Sequence, residues 1–549
     1  MATITQTAVE QEAIEGIEHN PKIPTVEVGP SSAGRALSSS SSSTTPSSNN
    51  SQPASTRETP TEAEAQRPKL STPQAWIVIV QLCGNNFINS FSAGLLMVCL
   101  PIMAADLNLP QNLLTWPNSV SALTSGACYL IMGSVSDVLG ARRVNVPGSF
   151  LQSVFIIATG SCQNGAELIA FRALGGVANA LYTPSARAML SKNIAHGRLR
   201  NFGFATMFLA FPLGAGLGLV LGGIYADKAN WRVGYYSSGG LGLFLSLLGL
   251  WTLPKDEKPI ESVREAARRL ALEIDWLGVA LASASATMLS VVFAMLSVNG
   301  DDIRRPVNIA LLAISIALLP AFALWMHRQE KLGKPAVIPN SLWKDSRFTS
   351  ICLMIGLSNG AQSGLSLFCS LFFQEVQHLS AFQASLRLLP QAATGALCCV
   401  FAGVFINRVS ALAAVIVAMV LCSLSPLLMA ITQPSWPYWY SAFWAQVVGP
   451  LSIDVTFIVG SLVISEVFSG KSQARGAAVF SMFSQMGVSI SLCIMSVIST
   501  NVAGGKHDTD SLLRSYRASF WTQFGWIAAS ALIAAVGLRK LGRVGMKRD

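Results

Sequence analysis

The stretch GSVSDVLGARR, residues 133–143, places an acid, glycines and two arginines between two long apolar runs of the chain. Each run is long enough to cross the hydrocarbon core of a bilayer as a helix. Glycine permits a sharp turn and a close helix approach, and Asp137 can pair with arginines or cap a neighbouring helix end. The stretch therefore predicts a polar turn that joins two membrane helices.

The composition indicates that lipid is the main solvent of this chain. Of the 549 residues, 51% are hydrophobic and 12% are charged, whereas soluble domains average about 25% charged residues. The apolar runs are continuous rather than alternating, which favours helices over barrel strands. We predict an all-α membrane protein with fourteen transmembrane helices. Their approximate limits are 75–104, 113–135, 144–163, 166–190, 201–225, 231–253, 276–298, 306–326, 348–375, 382–405, 412–431, 437–464, 476–500 and 520–538.

The connections between these spans carry an asymmetric charge. With the N-terminus inside, the inner segments hold 23 lysines and arginines and the outer segments hold seven. Cytoplasmic loops of membrane proteins carry the excess of basic residues. We therefore expect both termini in the cytoplasm. We attribute the net charge of +10 to the basic cytoplasmic loops that orient the protein in the membrane, rather than to nucleic-acid binding.

The predicted organisation has two helical halves and several polar segments. Residues 1–73 are rich in serine and proline, are too polar to form a core, and are expected to be a disordered cytoplasmic tail without a cleavable signal peptide. The remaining predicted parts are a six-helix half at 74–253, a cytoplasmic surface segment at 254–275, two inserted central helices at 276–326, a cytoplasmic loop at 327–347, a second six-helix half at 348–541 and a basic cytoplasmic tail at 542–549.

The structure of two connections between the spans can be predicted. Residues 261–273 have Glu265 four positions before Arg269 and an apolar face, which is typical of a short helix on the membrane surface. Residues 504–519 form the longest external loop, which we expect to be a solvated cap.

The turn motif recurs in part later in the chain, and this second copy is called the echo motif below. GVFINR, residues 403–408, joins spans 10 and 11 with the same spacing of glycine and Asp or Asn. Repeated halves with a site between them are a common transporter architecture.

GSVSDVLGARR resembles the signature that members of the major facilitator superfamily carry between spans 2 and 3. FRALGGVANA in span 4 is similar to a second family element, with Arg172 kept and Gly175 in place of glutamine. GAGLGLVLGG in span 5 resembles the antiporter signature, with Leu219 where proline is usual. EIDWLG at residues 273–278 resembles the entry to the extra helix pair of fourteen-span members. DVTF from Asp454 resembles a span-12 feature of the fungal fourteen-span drug:proton antiporter branch.

This resemblance implies a major facilitator fold with two pseudo-symmetric six-helix halves and two inserted central helices. The signature residues would gate the cytoplasmic side, and the glycines of span 5 would allow tight packing. The predicted gate residues are Gly133, Asp137, Gly140, Arg142 and Arg143. The predicted packing residues are Gly214, Gly218, Gly222 and Gly223.

Charged residues inside a membrane are costly and usually mark function. We find two well inside the predicted spans, Arg172 in span 4 and Asp454 in span 12. We expect Asp454 to take up and release a coupling proton and Arg172 to modulate it, the alternative for both being a structural hydrogen bond. Span 1 carries no carboxylate. Polar candidates for the substrate cavity, each of which could instead bond a neighbouring helix, are Asn86, Asn89, Asn359, Gln362 and Gln446.

The sequence predicts no cofactor and no metal. The ten cysteines lie in apolar runs without the spacing of a zinc or redox site. SEVFSGKS, residues 465–472, lacks the first glycine of a phosphate-binding loop and follows a membrane helix. The proton gradient is the expected energy source, and we expect a transporter rather than an enzyme.

Taken together with the resemblance, these features predict a monomeric, proton-coupled efflux pump in the plasma membrane that exports a small organic compound by alternating access. The absence of a ring of charge favours a neutral or weakly polar cargo. A vacuolar or vesicular location is the alternative. Two other functions stay open, a transporter of an inorganic or nutrient solute and a membrane sensor that signals through its N-terminal tail.

Overall fold

The computed structural model describes residues 71–110, 113–194, 198–256, 262–298, 305–334, 337–338, 340–405, 410–467, 473–504 and 508–539. Within these ranges the regular structure is helical throughout. Residues 1–70 of the predicted N-terminal tail, the whole predicted C-terminal tail at 542–549 and residues 406–408 of the echo motif GVFINR lie outside the described residues.

Six long helices make up the N-terminal half. They are α1 (Thr72–Asp106), α2 (Trp116–Leu139), α3 (Ala141–Ser161), α4 (Gly165–Asn193), α5 (Arg198–Lys228) and α6 (Trp231–Thr252). Helices α1 and α2 begin with proline in the first turn, where the missing N–H is not needed. Asn164 and Asn230 accept hydrogen bonds from the first turns of α4 and α6.

Two further long helices follow a short polar one. Helix α7 (Val263–Glu273) is capped by Ser262, contains a Glu265–Arg269 ion pair, and meets α8 (Trp276–Val298) at a bend of 71°. Helix α9 (Pro306–Lys331) packs against α8, and the short α10 (Asn340–Trp343) leads into the second half. Helix α8 also contacts α2 and α16, so that it touches both halves.

The C-terminal half contains the remaining elements. They are α11 (Ser346–Leu371), which continues as a π-helical turn (Phe372–Val376), α12 (Ala381–Phe405), α13 (Ala411–Ile431), α14 (Ala442–Val448), α15 (Leu451–Val467), α16 (Gln473–Ala503) and α17 (Thr509–Gly537). Helices α14 and α15 are parts of one apolar span that is interrupted at Gly449 and Pro450.

Eleven helices of the described residues are long and apolar enough to cross a membrane, or twelve when the bent pair α7–α8 is counted as one span. Helices α3 and α4 are 21 and 29 residues long and are not among these apolar spans. The chain is therefore a multi-pass helical membrane protein, and the count of fourteen spans stays a prediction.

One expectation about a loop is wrong. Residues 509–519 are not a solvated cap, because α17 already begins at Thr509. Asp508 directly before it caps the helix by accepting a hydrogen bond from the Ser511 backbone N–H. Ser511, Ser515 and Tyr516 of this segment are buried against the C-terminal half. Polar residues that pack on protein look like a loop in a hydropathy pattern, which explains the error.

Close glycine contacts join α5 to α1 within the N-terminal half and to α12 across the two halves. A Cβ atom at Gly214 or Gly218 would overlap the carbonyl oxygen of Phe87 or Phe91 in α1. At Gly222 it would lie 2.9 Å from Val98, and at Gly223 it would lie 2.7 Å from the Cα of Phe382 in α12. Small residues let helix backbones approach in this way.

We predict that Gly218→Ala destabilises the protein by about 1–3 kcal/mol, because the added methyl overlaps a backbone atom that cannot rotate away. Thermal unfolding of the purified protein in detergent measures the change. Gly240→Ala is the matched control, since its Cβ meets nothing within 4 Å, and there alanine should be neutral or stabilising by about 1 kcal/mol. Equal effects of both substitutions would contradict the packing argument.

The fourteen-span arrangement makes a separate prediction. Epitope tags inserted at 299–304 and at 505–507 should bind antibody on intact cells, whereas a tag at 257–261 should bind only after permeabilisation, because short basic loops stay in the cytoplasm. If the tags at 299–304 and 505–507 were on opposite sides, the predicted count would be wrong.

Candidate functional site

The turn between α2 and α3 is built around Asp256, which lies after α6. The backbone N–H groups of Arg142 and Arg143 donate to the two carboxylate oxygens of Asp256, at 3.0 and 3.1 Å. Gly140 has φ +106°, and a Cβ there would overlap the Asp256 carboxyl. Glycine is thus required both for the backbone conformation and for the close approach. An acid at a helix N-terminus also fits the helix dipole.

Asp137, one of the gate residues, makes a contact between the two halves. Its Oδ2 lies 3.7 Å from Nε of Arg475 at the start of α16. The Arg142 side chain donates to the carbonyl oxygen of Leu250, and Arg143 donates to that of Leu139 at 3.1 Å. Both of these carbonyls belong to the N-terminal half. The bundle end that carries this turn is called the motif end below.

A second contact between the halves lies deeper in the bundle at the motif end. Arg187 of α4 donates from Nη1 to the Ser481 hydroxyl of α16 at 2.6 Å, and its guanidinium carbon lies 6.0 Å from the ring centre of Phe457 in α15. Phe457 packs in turn against Phe208 of α5 and Phe480 of α16, at 5.9 and 5.2 Å between ring centres. A guanidinium and an aromatic cluster therefore join the two halves.

Sequence reasoning missed Arg187. It stands inside predicted span 166–190 but close to its end, where an arginine can usually reach the interface with its long stem. The signal was present as a charged residue within an apolar run.

Two further charged residues were also missed, Arg387 of span 382–405 and Glu375 at the end of span 348–375. Arg387 packs on Phe373 and Tyr438, and Glu375 accepts a hydrogen bond from Tyr516.

At the opposite end of the bundle the halves are joined by hydrogen bonds that each involve one backbone atom. Ser370 and Gln374 donate to the carbonyl oxygens of Met97 and Val98 in α1, at 3.1 and 3.3 Å. The N–H of Phe382 at the start of α12 donates to Asp227 near the end of α5, at 3.2 Å. The two halves are thus in contact at both ends in this conformation.

Asp454 lies in the first turn of α15, directly after the interruption in the span. Its Oδ2 is shielded from solvent and has no hydrogen-bond partner among the described residues. The site of a Cβ on Gly395 in α12 lies 3.0 Å from this oxygen and 3.2 Å from Pro212 in α5. The carboxyl therefore lies where α15 and α12 meet a helix of the other half.

Arg172 lies elsewhere in the bundle. Its Nε donates to the carbonyl oxygen of Pro117 in α2 at 3.1 Å, within the N-terminal half. Its described contacts do not include Asp454, so the structure does not bring these two candidates together.

The five predicted cavity residues make hydrogen bonds within their own halves. Asn86 donates to the carbonyl oxygen of Met207 at 2.8 Å, and Asn89 accepts from Gln152 at 3.1 Å. In the second half, Asn359 donates to the Ser484 hydroxyl at 2.7 Å, Gln362 donates to Ser366 at 3.3 Å and Gln446 donates to the Cys369 sulfur at 3.3 Å. The amide oxygens of Gln362 and Gln446 are buried without a partner among the described residues.

A small polar cavity lies inside the N-terminal half. It has a volume of about 10 Å³ and is lined by Asn85, Ile88, Ser149, Gln152, Ser153, Tyr182 and Gly242. Three of its lining residues present buried polar atoms without a partner, namely Asn85 Nδ2, Gln152 Oε1 and the Tyr182 hydroxyl. A space of this size with several polar partners suits one water molecule and is too small for an organic cargo.

The described residues contain no group of three or more histidine, cysteine or acidic side chains that could hold a metal ion. The arrangement consists of two helical halves, contacts at each end, and a carboxyl and a guanidinium where the halves meet. Two helical halves with a site between them are the architecture of many membrane transporters.

Comparison with known proteins identifies the family within this class. The model of the Major Facilitator Superfamily matches residues 82–453. MFS-type transporter 1 of Pyricularia oryzae is 36% identical over 87% of this chain and 85% of its own length. The multidrug transporter mdr3 of Aspergillus fumigatus is 24% identical over 88% of this chain and 84% of its own length. A bacterial homolog of the human lysosomal transporter Spinster, inward-facing and unoccupied, aligns with a TM-score of 0.59 at 14% identity over 86% of this chain and 98% of its own.

The chain belongs to the Major Facilitator Superfamily, a family of transporters rather than enzymes.

The Asp137–Arg475 ion pair leads to a prediction about opening of the motif end. Asp137→Asn should shift the equilibrium towards the open motif end by roughly two- to fivefold, because a partly exposed pair contributes up to about 1 kcal/mol. Hydrogen–deuterium exchange of the purified protein should then be faster in residues 133–143 and 473–481. The exchanged pair Asp137→Arg with Arg475→Asp should restore slow exchange. Failure of this double variant to do so would show that the two charges do not act on each other.

Proposed function

We propose that this protein is a proton-coupled exporter of small organic compounds that works by alternating access. It would act as a monomer in the plasma membrane, with fourteen spans, both termini in the cytoplasm and the motif end facing the cytoplasm. The proton gradient would supply the energy, without a bound cofactor. The name of one relative, a multidrug transporter of Aspergillus fumigatus, supports organic cargo.

The observation that carries the proposal is the position of Asp454. A carboxyl inside the membrane is energetically costly, so its presence usually marks a function. The first turn of α15 favours its negative charge through the helix dipole, while shielding from solvent favours its neutral form. A carboxyl under these opposed influences, beside a helix of the other half, can bind a proton in one conformation and release it in the other. A structural role for Asp454 as a hydrogen-bonding residue is less well supported, since Oδ2 has no partner among the described residues.

The available energy is sufficient for such a cycle. One proton that moves down 100 mV supplies about 2.3 kcal/mol. At about 1.4 kcal/mol for each factor of ten, this sustains roughly a fiftyfold gradient of a neutral cargo. One proton per cycle would therefore support useful export.

We predict that Asp454→Asn reduces proton-driven uptake of drug-like compounds into inside-out vesicles by about tenfold or more, which corresponds to about 1.4 kcal/mol of lost coupling. Asparagine has nearly the same shape and cannot carry the proton. Exchange of labelled for unlabelled compound without a pH gradient should persist, which shows that the variant is folded and binds its cargo.

The matched control is Asp345→Asn. Asp345 lies before α11, outside the membrane spans, and pairs with Arg347 at 2.7 Å, which lowers the pKa of this carboxyl. Asparagine can still cap α11, so this variant should keep proton-driven uptake. Unchanged coupling in Asp454→Asn would refute the role of Asp454. If the wild type shows no gradient-dependent uptake for a broad set of compounds, the function itself is wrong.

A further inference from the structure

Arg187 is a cation at the junction of the two halves that the proposed proton coupling does not use. Its hydrogen bond to Ser481 and its contact with Phe457 both reach into the C-terminal half. When the halves separate at the motif end, both contacts must break. The guanidinium then faces the opening through which an exported compound enters.

The charge of Arg187 has no compensating acid in this conformation. Among the described residues, no carboxylate lies within 4.0 Å of its guanidinium. Its surroundings are neutral: the Ser481 hydroxyl, the Phe457 ring and, on the N-terminal side, the hydroxyls of Tyr129 and Tyr182, which are close enough to interact with it electrostatically. An ionisable residue inside the membrane is by default a candidate functional residue.

The chemistry of the surroundings indicates which anion fits. A guanidinium presents a planar set of donors that matches a carboxylate with two parallel hydrogen bonds. Phe457 lies between Phe208 and Phe480, so the neighbouring surface is aromatic. Such rings pack edge to face or offset against an aromatic body.

We propose that Arg187 binds the carboxylate of an aromatic organic acid. Once the motif end opens, this carboxylate replaces the Ser481 hydroxyl as the hydrogen-bond partner of Arg187. This inference rests on the proposed export function and names its cargo class. It replaces the expectation of a neutral cargo, which was based on the apparent lack of charge along the cavity.

The test compares aromatic acids with amides of the same shape. Binding of 2-naphthoate and 2-naphthamide, and of further acid–amide pairs, is measured on the full-length protein in detergent. The wild type should bind the acids about tenfold more tightly or better, and Arg187→Gln should lose this preference without weaker amide binding. Arg187→Lys should keep part of it, because lysine retains the charge without the planar donor set.

Ser481→Ala is the matched control. It removes the hydrogen bond between the halves and keeps the guanidinium, so it should retain the preference for acids. If Ser481→Ala loses the preference as Arg187→Gln does, Arg187 acts through the contact between the halves and the inference is wrong. Equal binding of acids and amides by the wild type would also overturn it, whether or not Arg187→Gln folds.

Failure of this inference and failure of the proposed function can be told apart. Proton-driven uptake of neutral compounds without any preference for acids would overturn the acid-binding role alone. A preference for acids in detergent, with no gradient-driven uptake of any compound, would overturn proton coupling and support the role of Arg187.

Discussion

The lack of hydrogen-bond partners in lipid is the constraint on which this structure depends. Each backbone group inside the membrane must be bonded within the protein, which leaves helices as the solution for a chain of this composition. The interruption between α14 and α15 shows how a deviation is tolerated. Cys422 and Ser425 of α13 donate to the carbonyl oxygens of Gly449 and Ala445, at 2.9 and 2.7 Å. These two bonds satisfy backbone carbonyl groups at the interruption. The interrupted span presents Asp454 in the first turn of α15 at the junction of the halves.

The same constraint explains which parts of the fold could be predicted. Apolar runs mark helices well, because nothing else satisfies their backbone, and the order of long helices follows the predicted runs. The start of α17 could not be found in this way. Ser511, Ser515 and Tyr516 are polar but face protein, and a single sequence does not distinguish polar residues that face protein from those that face water. Arg187 was missed for a related reason, because its stem could have reached the interface.

The sequence predicts several residues of the candidate site, but it does not predict the contacts that these residues make. The turn motif drew attention to Asp137, but no spacing within one sequence connects residue 137 with Arg475. The arginine pair of the motif was expected to help close the cytoplasmic side. The structure shows their side chains donating to carbonyl oxygens of α6 and α2 and their backbone N–H groups donating to Asp256, and a role of the pair in closing the cytoplasmic side stays a prediction. These bonds hold the turn in the position from which Asp137 reaches Arg475.

Charge balance separates the roles proposed for Asp454 and Arg187. With a neutral cargo, the proton is the one charge that moves, so transport against a gradient depends entirely on the carboxyl. With an anionic cargo exchanged one for one, proton entry and anion exit each move charge in the same electrical sense. A potential of 100 mV then supplies about 4.6 kcal/mol per cycle instead of about 2.3, which sustains a gradient of roughly two thousandfold. Half of this energy comes from the cargo itself. An acid held by Arg187 would therefore keep part of its driving force without a titrating Asp454, whereas a neutral compound would keep none.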